Sequence, residues 1–127
     1  MMSPNVAVWF EIPVSDLARA IGFYETVFAV TLSQSGCPSG MPIRLALFPA
    51  EKDAVTGCLI EHEDAKPGGD GPVIYLNGGS DLSEPLARAE AAGARIVVPK
   101  TPITPELGFF AQLIDSEGNR IGLHSLN

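Results

Sequence analysis

Basic residues are scarce in this chain: eight Lys and Arg stand against fifteen Asp and Glu, for a net charge of −7. No basic run exists, which argues against a nucleic-acid surface or a binder of anionic membranes. Any charge steering favours a neutral or cationic ligand. Cysteine is nearly absent. Cys37 and Cys58 form no CxxC pair and no Cys/His cluster at zinc spacing, and Cys58, in an apolar strand-like run, reads as core packing. The start "MMSPNVAV" has neither the basic opening nor the apolar run of a signal peptide. No segment approaches ~18 uninterrupted apolar residues, so no membrane span is expected. The expectation is a cytoplasmic protein with reduced thiols.

What is present is a globular composition, 46% hydrophobic and 18% charged over 127 residues. That is enough chain for one domain with a real core. The run "VAVWFEIPV", residues 6–14, reads as a strand. By alternation Val6, Val8, Phe10, Ile12 and Val14 share one apolar face, suited to packing on a helix. Ala7, Trp9, Glu11 and Pro13 share the other. A face with one large aromatic and one carboxylate suits either a solvated sheet surface or the lining of a cavity.

After it, "SDLARAIGFYETVF" spaces Leu17, Ile21, Tyr24 and Phe28 as one stripe of an amphipathic helix, capped by Ser15 or Asp16. Three strand-like runs follow: "AVTLSQ", "PIRLALFPA" and "TGCLIEHE". Residues 64–72, "DAKPGGDGP", form a Pro/Gly-rich linker. Then "VIYLN" reads as a strand, and "SDLSEPLARAEAAGA" as a helix with Leu82, Leu86 and Ala89 in register. Pro85 is tolerated in a first turn, so this helix starts at Ser80 or Ser83, with Gly93 as its stop. "ARIVVP", "GFFAQLID" and "NRIGLHS" complete the set, the last two joined by a turn at "SEGN".

The order is therefore βαβββ twice, and Ser-Asp-Leu recurs at 15–17 and 80–82 where a strand hands over to a helix. The predicted fold is α+β: two βαβββ modules forming a half-open mixed β-barrel cleft, helices outside. Residues 1–127 make a single domain, with module one about 5–63 and module two about 73–125.

Three pieces, "FEIPVSDLARAIGFYETVF", "LARAEAAGARIVVP" and "DSEGNRIGLHS", resemble the vicinal oxygen chelate superfamily of glyoxalase I, bleomycin-resistance proteins and extradiol dioxygenases. Nearest in style is a group of small single-domain glyoxalase-like proteins of unassigned activity. Metal-using members of that superfamily bring ligands from the first and last strand of each half. The resemblance places these positions at Trp9, at Val73 or Ile74, at Ile60 or Glu61, and at Gly122. At least three of the four cannot bind a metal, which implies that the usual site is gone and no cofactor is called for. Standard glyoxalase I or dioxygenase activity, which needs the ion as Lewis acid, is then not expected.

The same registers put Trp9 and Glu11, Val73, Tyr75 and Asn77, and Arg120, Gly122 and His124 on cleft-lining faces. Their opposite faces (Phe10 and Ile12, Ile74 and Leu76, Ile121 and Leu123) are apolar and suit helix packing. Glu11 and His124 can serve as an acid/base pair, or can simply satisfy each other or a backbone group as buried polar residues. Glu61 and His62 point opposite ways, so only one can join the cleft, and a solvated strand end suits them as well. Lys100, in "VPKTPITPELG", is read in a loop near the cleft.

Three functions remain open at this stage. One is a metal-independent binder of an aromatic or cationic small molecule, held by Trp9, Tyr75, Asn77 and Arg120. Another is a lyase or isomerase using Glu11 and His124 directly or as a relocated metal site. The last is a non-catalytic interaction module. The resemblance also implies a homodimer, which an open sheet edge favours.

Overall fold

The computed structural model describes residues 5–36 and 42–127. Ten elements follow one another: β1 (Trp9–Pro13), α1 (Leu17–Phe28), β2 (Ser33–Gly36), β3 (Arg44–Leu47), β4 (Thr56–Glu61), β5 (Ile74–Asn77), α2 (Ser83–Ala91), β6 (Arg95–Pro102), β7 (Phe109–Ile114) and β8 (Arg120–Ser125). They make two open four-stranded mixed sheets, ordered β1-β4-β3-β2 and β5-β8-β7-β6. In each, the first strand runs parallel to the last and the other pairs are antiparallel. The α+β fold and the doubled βαβββ order are as the sequence predicts. There is no closed barrel.

The core lies between the sheets and the helices. Ile12 and Val14 of the first strand region, Ala46 and Leu59 behind them, and Ile121 and Leu123 of the last strand are all but inaccessible. Val6 and Val8 do not join this face, contrary to expectation. The β1–β4 ladder starts at Trp9 opposite Thr56, so Val6 and Val8 precede the paired strand, and both are exposed.

Asp16 caps α1 by accepting a hydrogen bond from the Arg19 backbone N–H, one of four donors a helix start leaves unpaired. The buried side of α1 is Leu17, Ala20, Phe23, Tyr24 and Val27. Ile21 and Phe28 of the expected stripe sit at its margins, half-buried, because the buried face is wider than a single i, i+4 row. Tyr24, completely inaccessible, packs its ring against Phe23, Phe28 and Phe48 at centroid distances of 5.3, 5.9 and 5.6 Å. In the second half α2 begins at Ser83, with Pro85 in its first turn. Leu82, Leu86 and Ala89 are buried as expected.

Two strand boundaries depart from the sequence reading. Ala29 takes a left-handed conformation (φ 54°) as the cap of α1, so β2 begins only at Ser33 and not in "AVTLSQ" at Ala29. Strand β6 continues to Pro102, past the expected end at Pro99, because β7 keeps pairing with it through Thr101 and Pro102 after a register shift. Lys100 therefore lies in a strand and not in a loop. Cys58 is buried, as expected, while Cys37 lies outside the described residues. Among the described residues no helix is long and apolar enough to cross a membrane.

Candidate functional site

Residues opposite one another in a ladder share a face, so register alone assigns the side of each sheet turned away from the helices. In the first sheet Trp9 pairs with Thr56, Glu11 with Cys58 and Pro13 with Ile60, and Leu47 and Leu45 extend the row across β3. In the second, Tyr75 pairs with Gly122 and Asn77 with His124. The row continues to β7, where Gln112 faces Gly122, Phe110 faces His124 and Ile114 faces Arg120. Trp9, Glu11, Tyr75, Asn77, Arg120, Gly122 and His124 thus occupy the sheet faces expected of them. The alternate faces carry Ile12, Leu59, Ile121 and Leu123 into the core.

The second sheet has a feature built on Gly122. A Cβ there would lie 2.3 Å from Cδ1 of Tyr75, well inside contact distance. Only glycine lets the Tyr75 ring lie flat across β8, and from there its hydroxyl reaches β7. Gln112 Nε2 donates to the Tyr75 oxygen at 2.7 Å, Arg120 Nη1 donates to Gln112 Oε1 at 3.0 Å, and Phe110 sets its ring at 6.4 Å and 64° to that of Tyr75. In the first sheet Gly57 likewise accommodates the Phe10 ring, with a Cβ position 2.5 Å from Phe10 Cγ.

β1 and β5 are edge strands of the two sheets, and among the described residues the seam between them carries no ladder. A cavity of about 590 Å³ opens along that seam. Trp9, Tyr75 and Val55 line it as half-exposed side chains, each between 42 and 46% accessible. The partly buried Phe10, Phe28, Val30 and Phe48 line it where it meets the core. Val73, Ile74 and Asn77 complete the β5 side. A second cavity of about 530 Å³, lined by His124 and Ser125–Asn127, shares Tyr75, Leu76 and Asn77 with the first.

The seam is held by the turn between β7 and β8, which reaches from the second module onto α1 of the first. Glu117 accepts from the backbone N–H of Ser15 and Asp16 at 2.9 and 3.0 Å, and from Arg19 Nε and Nη2 at 2.8 and 2.9 Å. Burial pushes this carboxyl upward. The hydrogen bonds from Arg19, Asp16, Ser116 and Ser15 outweigh it, and the pKa falls to about 2. Beside it, Asp115 takes the buried Tyr24 hydroxyl at 2.5 Å, and Asn119 Nδ2 donates to the Pro13 carbonyl at 2.7 Å, at the end of β1. Burial, and then the Asp115 charge, raise the Tyr24 hydroxyl pKa well above its ordinary value. Arg88 of α2 adds a bond to the Val27 carbonyl in the last turn of α1.

Other sequence candidates find separate partners. Glu11 is exposed and accepts from the Trp9 indole N–H at 3.4 Å. His124 Nε2 bonds the Leu107 carbonyl; since a carbonyl only accepts, this nitrogen carries the proton. His124 lines the second cavity, and Glu11 lines neither. Asn77 turns its side-chain oxygen to the Gly79 N–H. Glu61 faces the helix side, where it accepts from Leu17 N and pairs with Arg44, so the inner-face residue of that strand is Ile60. His62 accepts from the Asp64 N–H just beyond β4. Lys100 pairs with Asp81 at 2.9 Å and covers the Phe109 ring. Cys58, beside Glu11 on the sheet, has its thiol pushed up to about 11 by burial and by that carboxylate.

A divalent ion needs several converging nitrogen or oxygen donors. The implied ligand positions instead hold an indole at Trp9, aliphatic side chains at Val73 and Ile60, and at Gly122 a space already filled by the Tyr75 ring. Among the described residues no three His, Cys, Asp or Glu side chains gather. These residues do not fit the superfamily's usual metal site.

The profile of the glyoxalase/bleomycin resistance protein/dioxygenase superfamily matches residues 7–123. No curated protein sequence matches. Among solved structures, a variant of glyoxalase I from Zea mays superposes with a TM-score of 0.73 at 19% identity. The match covers 97% of this chain and 47% of that one, so the chain spans about half the length of the maize protein. The fosfomycin resistance protein FosX from Listeria monocytogenes gives a TM-score of 0.69 at 17% identity, covering 98% and 94%. TnmS3, an antibiotic binding protein from a Streptomyces species, gives 0.64 at 25% identity, covering 98% of both chains. The chain belongs to the glyoxalase/bleomycin resistance protein/dioxygenase superfamily.

Proposed function

We propose that this superfamily member is a small-molecule-binding protein that holds a planar aromatic ligand in the seam cavity, without the divalent ion of its metal-using relatives. The seam cavity carries the reading: about 590 Å³, with Trp9 and Tyr75 half-exposed beside it and Phe10, Phe28 and Phe48 against the core. Half-exposed rings on a pocket wall are surfaces awaiting a partner, and each aromatic pair adds about 0.5–1.5 kcal/mol beyond the area it buries. The likeness to an antibiotic binding protein of matching length supports a binding role. Charge alone does not choose the ligand's sign, because Glu11 and Arg120 both lie on inner faces.

A lyase or isomerase built on Glu11 and His124 has no comparable support, since each already bonds a different group, Trp9 and the Leu107 carbonyl. The direct test is calorimetric titration with 2-acetylnaphthalene, a bicyclic probe small enough for the cavity. Saturable binding is expected in the native protein, weakened about tenfold or more in Trp9→Ala, the equivalent of about 1.4 kcal/mol. Unchanged affinity in Trp9→Ala would contradict the assignment.

A further inference from the structure

The wall of the seam cavity is uncharged. Among the described residues it is formed by Trp9, Phe10, Phe28, Phe48, Val55 and their neighbours, and no Asp, Glu, Lys, Arg or His side chain joins them. The polar side chains of the wall already bond within the protein. Thr56 Oγ1 donates to the Phe48 carbonyl at 3.1 Å, and the Trp9 indole N–H donates to Glu11 at 3.4 Å. Asn77 accepts from the Gly79 N–H at 2.9 Å, and the Tyr75 hydroxyl lies over β8, where it accepts from Gln112. Glu11 itself lines neither cavity. The chain between the wall residues Pro49 and Val55 carries Glu51, Lys52 and Asp53, but all three are exposed and outside the wall.

An ion that enters such a space loses hydration and gains no counter-charge. An isolated charge in apolar surroundings is strongly disfavoured, whereas an aromatic ring gains from leaving water. The net charge of −7 acts differently. It draws cations toward the surface, over a distance that salt screens to about 8 Å at physiological ionic strength. Steering toward the protein and selection inside the cavity are separate effects, and only the second depends on the wall.

We propose that the seam cavity selects an uncharged aromatic molecule and discriminates against both cations and anions of the same ring size. This rests on the binding reading above and narrows it to one ligand class. Val55 is the position at which a single substitution reverses the selection. Its side chain lines the cavity and is 42% exposed, so a charge placed there keeps contact with water and leaves the core intact.

Three naphthalene probes test this by calorimetry at about 0.15 M salt, where the surface field is screened: 2-naphthylmethanol, 2-naphthylmethylammonium and 2-naphthoate. The readout is the ratio of affinities on one and the same variant, so a partial loss of cavity shape cancels. In the native protein the alcohol should exceed each ion about tenfold or more. Val55→Glu should shift the ratio toward the ammonium probe, and Val55→Lys toward naphthoate, each by about fivefold. Glu11→Gln should leave the native ratios unchanged. Equal binding of all three probes by the native protein, a native preference for either ion, or an unmoved ratio in either Val55 variant overturns the proposal and leaves the cavity reading intact. An ammonium preference that disappears in Glu11→Gln also overturns it, by making that carboxylate a ligand contact. Failure of every probe to bind overturns both.

Discussion

Glu117 offers the sharpest quantitative check on how the two modules are joined. Its side chain is fully inaccessible and takes two backbone N–H groups and both donors of one face of Arg19. Its pKa falls from an ordinary 4.5 to about 2. At 1.36 kcal/mol per unit, the charged form stabilises the fold by up to about 3 kcal/mol at neutral pH. The folded pKa is depressed, so this stabilisation is present above the unfolded value and is lost as pH falls from about 4.5 toward 2. By pH 3 about 1.4 kcal/mol of it should remain. Glu117→Gln removes the charge and sets an NH₂ among donors. The expected loss is about 2–4 kcal/mol at pH 7. Urea unfolding of both proteins from pH 7 to pH 3 gives the difference directly. It should shrink by about 2 kcal/mol on acidification. A difference that stays constant with pH would show that the Glu117 charge does not carry the clamp, and the account of the seam would fail.

The remaining predictions concern the inner faces and the assembly. Gly122→Ala should push the Tyr75 ring off β8 and break its bond to Gln112, costing about 1–3 kcal/mol; an unchanged melting temperature and an unchanged Tyr75 ring in a crystal structure would contradict the contact. Purified without tags or added ions, the protein should carry no stoichiometric Ni, Zn, Fe or Mn and should not convert the methylglyoxal–glutathione adduct. About one ion per chain by elemental analysis, lost in His124→Ala, would instead establish a relocated metal site. Among the described residues each sheet also ends in strands with an unpaired edge, β1 and β2 in one and β5 and β6 in the other. Light scattering at micromolar concentration should therefore report a homodimer, and a monomer would count against it.

The architecture was legible because alternation and helical spacing are strong and local. The strands carrying Ile12, Leu76 and Leu123 announce their buried face by period two, and the recurring Ser-Asp-Leu marks both strand-to-helix joints. The polar chain was harder to see because it depends on a pairing between strands. Gln112 looks like one polar residue in "GFFAQLID" until β7 and β8 are paired across the "SEGN" turn. Counting outward from that turn, Ile114 against Arg120 and then Gln112 against Gly122, would have found it. The seam clamp was hidden for another reason. Asp115, Glu117 and Asn119 read as ordinary turn formers, and their partners Tyr24, Arg19 and Pro13 lie about a hundred residues away in the chain. Val6 and Val8 failed because alternation cannot tell where a partner strand stops. The prolines flanking Lys100 are turn signals in the sequence, yet β7 keeps the strand paired through Thr101 and Pro102.

The central claim is a ligand cavity bounded by Trp9 and Tyr75, and it has a built-in reporter. Trp9 is the one tryptophan in the chain, so a ¹H–¹⁵N spectrum contains a single indole N–H signal, from the group that donates to Glu11. Titration of 2-acetylnaphthalene into ¹⁵N-labelled protein should move that signal along a saturating curve, together with the backbone signals of Val73, Ile74 and Tyr75. An indole signal that stays fixed while the probe saturates the protein elsewhere would contradict the claim.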